Sequence, residues 1–102
     1  MNYKYVVTVR GMLKASDEKQ SQATHDATID QLEAMAKSMG AVGHRAHLNP
    51  QNRREFLAID TWDNPEGPQK LLADPALGAE FAKLFEGQPS VTLWADAGWA
   101  SF

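Results

Sequence analysis

The sequence predicts an α+β fold of the ferredoxin-like split βαβ type, a four-stranded antiparallel sheet with helices on one face. Two observations carry this reading. The apolar pattern alternates between strand and helix periods in the order strand, helix, strand, strand, helices, strand. The chain has 102 residues, 43% of them hydrophobic, which is enough for one core and a single domain spanning 1–102.

The first strand is read over Tyr3 to Arg10, where aromatic and β-branched residues alternate between two faces. After Gly11 the composition becomes helical from about Asp17 to Met39, and His25, Ile29, Leu32, Ala36 and Met39 form one stripe. Ser16 or Asp17 can cap the start, and Lys37 followed by Gly40 fits the end. Val42 to Leu48 and Arg54 to Trp62 read as two strands of a hairpin closed by Asn49-Pro50-Gln51-Asn52, which suits a type I turn. Asn64-Pro65-Glu66 and Asp74-Pro75 each open a short helix. The second of these carries Leu77, Phe81, Leu84 and Phe85 on one face and is expected to end at Gly87. Ser90 to Asp96 is the last strand, followed by a short tail from Ala97 to Phe102.

Composition excludes several functions. A net charge of -3 has the wrong sign for gripping phosphates, so nucleic acid is not an expected partner. The absence of cysteine removes disulfides, thiolate zinc sites and a Cys nucleophile together. Charge returns at Arg10 before any apolar run is long enough for a signal peptide or a spanning helix, so no membrane and a cytoplasmic location are expected. Tyr3, Tyr5, Val7, Val9, Phe56, Ala58 and Trp62, together with Leu57 and Ile59, put apolar side chains on both sides of the sheet. Helices cover one side, so the other is expected to meet a second copy in an isologous homodimer.

If the hairpin turns at Pro50-Gln51, Arg45 lies opposite Phe56 and Gly43 opposite Ala58, with Asp60 and Trp62 continuing on that face. The small pair Gly43 and Ala58 beside an aromatic and a carboxylate leaves space for a small molecule. Trp62 is then either a pocket wall or simply core. A mid-strand carboxylate at Asp60 needs a partner if buried, and Arg45 is the expected one, in a structural ion pair or a ligand-orienting group. His25 is either a satisfied rim histidine or a general base. His44 and His47 project to opposite faces of their strand, so no metal site is expected from them. Asp17-Glu18-Lys19 and Arg53-Arg54 read as solvated surface.

The run Phe56-Leu57-Ala58-Ile59-Asp60-Thr61-Trp62-Asp63-Asn64-Pro65-Glu66, followed by Asp74-Pro75, Phe81, Val91 and Trp94, resembles the antibiotic-biosynthesis monooxygenase-like group of the dimeric α+β barrel superfamily. That group has a strand of the form Phe-x-x-x-acid-x-Trp leading into a helix. The resemblance implies a homodimeric α+β barrel and a cofactor-independent monooxygenase-like activity on a small planar aromatic or quinonoid compound, with no cofactor. Under it, His25 and Asp60 are the catalytic candidates, and Trp62, Arg45, Gly43 and Ala58 line the substrate site. A non-catalytic ligand-binding or structural homodimer is the alternative, and a haem-binding or haem-degrading variant the third. Many members carry a His in the helix after the tryptophan, where this chain has Leu71.

Overall fold

A computed structural model describes residues 4–102. Tyr3, assigned to the first strand from the sequence, lies outside the described residues. The elements run β1 (Tyr5–Leu13), α1 (Glu18–Ser38), β2 (Ala41–Asn49), β3 (Asn52–Trp62), α2 (Glu66–Ala73), α3 (Pro75–Leu84) and β4 (Phe85–Ala95). They form one antiparallel sheet in the order β2-β3-β1-β4, the arrangement that two split βαβ units produce.

The long helix begins where the Asp17 side chain accepts a hydrogen bond from the Lys19 amide, and it finishes at Gly40, whose φ of 108° only glycine adopts readily. Residues of one parity on β1 and β3 face the helices, and there Val7, Val9, Phe56, Ala58 and Trp62 form the buried core with Leu13, Leu84 and Phe85. Ala36 and Met39 of the predicted stripe pack against that core. The opposite sheet face carries Leu57 and Ile59, half-buried among Thr8, Arg10 and His47.

Three expectations change. Gly11 does not end β1, because a bulge between Arg10 and Met12 lets the strand continue to Leu13, which is buried. That extension pairs Leu13 with Phe85, so β4 starts directly after α3 instead of at Ser90, and Phe85 belongs to a strand. The Lys14 amide then donates to the Leu84 carbonyl at 2.9 Å, and ladder hydrogen bonds replace the helical turn expected up to Gly87. Thirdly, the hairpin register differs. Asn49 pairs with Asn52 at the turn, but the ladder then shifts, and Arg45 faces Ile59 while Gly43 faces Thr61. The displacement is odd, so the faces of β2 exchange: His44 meets Asp60, and Arg45 points to the other side of the sheet.

The basic pair at the hairpin also has defined partners. Arg53 makes two hydrogen bonds to Glu18, of 2.6 and 3.0 Å, tying the hairpin to the start of α1 and holding the Glu18 carboxyl below its ordinary range. Arg54 donates to the Leu13 carbonyl and to Glu86. These groups are exposed, so each pair adds little stability but orients its segment.

Candidate functional site

Between α1, the helices α2 and α3, and the core face of the sheet lies a cavity of about 390 Å³. Its wall is mostly apolar, with Val7, Ile29, Leu32, Phe56 and Leu71 among the lining residues. Gly43, Ala58, Asp60, Trp62 and His25 all border it, whereas Arg45 does not. Ala58, small and buried on the central strand β3, lines the gap together with Ile29 and Leu32 of α1.

Trp62 is only 3% exposed and belongs both to the core and to the cavity wall, so the two sequence readings of this residue coexist. Its indole Nε1 is buried with no hydrogen-bond partner. A buried N–H left without an acceptor is costly, on the order of 1 to 3 kcal/mol, unless a ligand or water satisfies it. The Trp62 ring is held by the first turn of α2. Asn64 accepts from the Gly67 amide at 2.6 Å and so caps that turn, and a Cβ on Gly67 would overlap the Met39 carbonyl oxygen and stand 2.8 Å from Cζ3 of Trp62. The Gly67-Pro68 pair follows from this: glycine lets the turn reach the indole, and Pro68, buried in the cavity wall, sits early enough that its missing N–H breaks no helical hydrogen bond.

At the cavity rim four side chains join in a row. His25 Nδ1 lies 2.9 Å from Asp26 Oδ1, His25 Nε2 lies 2.8 Å from His44 Nε2, and His44 Nδ1 hydrogen-bonds Asp60 Oδ1. The two rings meet edge to edge, 21° from coplanar, with their centroids 5.0 Å apart. Asp60 therefore has a histidine as its partner, and the expected Asp60–Arg45 pair does not form because of the register shift. His44 is the residue that the sequence reading passed over. Its signal was parity on β2, which places it with Ala46 and Leu48 opposite Asp60, Ala58 and Phe56. The other charged groups on the wall have neighbours of their own: Glu33 binds Lys37, and Glu80 binds Thr28 and Lys83. Among the described residues, no group of three or more His, Asp and Glu is placed to hold a metal ion, and no helix is long and apolar enough to cross a membrane.

Solved structures share this architecture. A candidate antibiotic biosynthesis monooxygenase from Bordetella bronchiseptica matches 94% of this chain and 99% of its own with a TM-score of 0.74 at 12% identity. This chain has the fold of the antibiotic-biosynthesis monooxygenase-like proteins. SnoaB, a cofactor-independent oxygenase from Streptomyces nogalater, matches with a TM-score of 0.69 at 13% identity, over 96% of this chain and 97% of its own. The ActVA-Orf6 monooxygenase of Streptomyces coelicolor, solved with nanaomycin D, has a TM-score of 0.71 at 11% identity, over 97% of this chain and 92% of its own. No protein-family model and no curated protein sequence matches the chain.

Proposed function

We propose that this monooxygenase-like fold binds a small planar aromatic or quinonoid compound in the cavity beneath α1 and acts as a cofactor-independent oxygenase. The observation that carries the reading is a mostly apolar cavity walled in part by Trp62, with two histidines at its rim. The structural neighbours support it, since one is a cofactor-independent oxygenase and another is a monooxygenase with a bound ligand. In such chemistry a deprotonated substrate itself gives an electron to dioxygen. The protein then needs to supply a dry cavity, a base and donors for the oxyanion. Trp62 would wall the ring, His25 would serve as base, and Asp60 would hold His44 in place at the rim. For the haem reading, Leu71 puts an alkyl group on the cavity wall where many members of the group carry a histidine, so that ligand would be missing from this chain.

Oxygen uptake with an anthrone as substrate tests the activity. Wild type should raise the rate well above the protein-free control, and His25→Gln, which removes the proposed base, should reduce it about tenfold or more. Binding of the anthrone without oxygen uptake would select the non-catalytic ligand-binding alternative.

The homodimer belongs to the same proposal. The sheet face away from the helices offers Leu57, Ile59 and Trp94, the last 55% exposed, and the tail holds Trp99 at 85% exposure and a fully exposed Phe102. Leaving such side chains in water forgoes about 1.5 to 3 kcal/mol each, and a second copy is the proposed cover. Sedimentation should give a dimer at micromolar concentration, burying about 1,500 Å² or more in total. Deleting Ala97 to Phe102 should raise the dimer dissociation constant at least about tenfold with the circular dichroism spectrum kept. A monomer, or a tail deletion without effect, would contradict this part.

A further inference from the structure

The row Asp26, His25, His44, Asp60 is a chain of hydrogen-bonding contacts through both nitrogens of each ring. A carboxylate only accepts, so each flanking contact requires a proton on histidine Nδ1: His25 donates to Asp26, and His44 donates to Asp60. Two neutral rings hold two protons, and both are then used. The Nε2 atoms that remain face each other at 2.8 Å, and two bare lone pairs would repel there. A third proton between them turns the contact into a hydrogen bond. That arrangement would place one imidazolium in the pair, with a carboxylate behind each ring.

We propose that this Nε2–H···Nε2 contact holds the place of a ligand hydroxyl, and that His25 and His44 together are the proton-exchanging device of the site. The inference rests on the reading of the cavity as a ligand site. A hydroxyl inserted between the rings accepts from the protonated Nε2 and donates to the bare one, which satisfies every group in the row. Transfer of its proton breaks the O–H bond and forms an N–H bond on the second ring. The product is an oxyanion held by two imidazolium donors, and the total charge of ligand, rings and carboxylates is unchanged. An oxyanion flanked by two fixed charge-assisted donors is stabilised more than in water. The rings can part to admit an oxygen because their side chains sit at the rim, 17% exposed for His25 and 31% for His44, unlike the packed Trp62. The row also reaches water, since the Asp26 side chain is 59% exposed, so protons can be exchanged with solvent through His25. Asp26 and Asp60 touch no ligand oxygen in this arrangement and act as positioning residues that keep both Nδ1 atoms protonated.

Fluorescence titration with naphthol and with methoxynaphthalene, its methyl ether, tests the pair, because the ether cannot donate to the bare Nε2. Wild type should bind naphthol about tenfold more tightly than the ether, and His44→Gln and His25→Gln should each remove that preference while still binding the ether. Nitrogen-15 spectra of the ligand-free protein at neutral pH should show both Nδ1 atoms protonated, and Asp26→Asn should change the His25 pattern without unfolding the chain. Equal affinity of wild type for the two probes, a preference that survives both histidine substitutions, or a bare Nδ1 on either ring would overturn the pair and leave the cavity reading intact. Failure of wild type to bind either probe would instead overturn the cavity reading, and the pair with it.

Discussion

Trp62→Ala is expected to destabilise the protein by about 3 to 5 kcal/mol, the range for removing a large aromatic from a core. The indole is 3% exposed, packs with the core cluster of the sheet, and closes one wall of a cavity that is already about 390 Å³, so truncation enlarges an existing void instead of letting neighbours collapse. The substitution alone therefore cannot separate a ligand role from a packing role. Trp62→Phe separates them better, because an aromatic ring stays in the core while part of the cavity wall is lost. Thermal unfolding at fixed protein concentration should show a large fall for Trp62→Ala and a smaller one for Trp62→Phe. Both variants should lose affinity for a planar quinone. A Trp62→Phe protein with unchanged affinity would mean that the indole has no part in binding.

Gly67→Ala is expected to cost about 3 kcal/mol, the upper part of the range for overpacking, through a single added methyl group. The methyl would overlap the Met39 carbonyl oxygen, which is backbone at the end of α1, and would press on the six-membered ring of Trp62. Neither neighbour can step aside cheaply: Met39 is the C-cap of α1, and its carbonyl also accepts from Asn64 at 2.9 Å. The melting temperature should fall by roughly 10 °C or more for a domain of this size, and the cavity should lose its shape with it. The same substitution at Gly78, where an added Cβ meets nothing within 4 Å, should be neutral or stabilising and serves as the control. Equal effects at the two glycines would contradict the account of why α2 starts as it does.

The order of elements and the limits of α1 were legible because they rest on local signals: period, the Asp17 cap, and Gly40 at a positive φ. The strands were legible in place but not in register. A turn fixes the first pair of a hairpin, here Asn49 with Asn52, yet the irregularity beside Leu48 moves every later pair, and nothing in the local composition announces it. One such shift decided the site, since it removed Arg45 from the helix face and set His44 against Asp60. His25 was read correctly onto the stripe of α1, but its partner lies on β2, and a contact between a helix and a strand 19 residues apart is a property of packing. The start of β4 was hidden for a similar reason. Leu84 and Phe85 fit a helix face as well as a strand, and only the continuation of β1 through its bulge at Gly11 gives Phe85 a partner in Leu13.

The most direct test of the central claim is a crystal structure of the protein grown with a planar naphthoquinone. The account predicts the ring in the cavity between α1 and the sheet, against Trp62, with one oxygen directed to the histidines at the rim. A quinone bound on the opposite face of the sheet beside Leu57 and Trp94, with the cavity left empty, would contradict it.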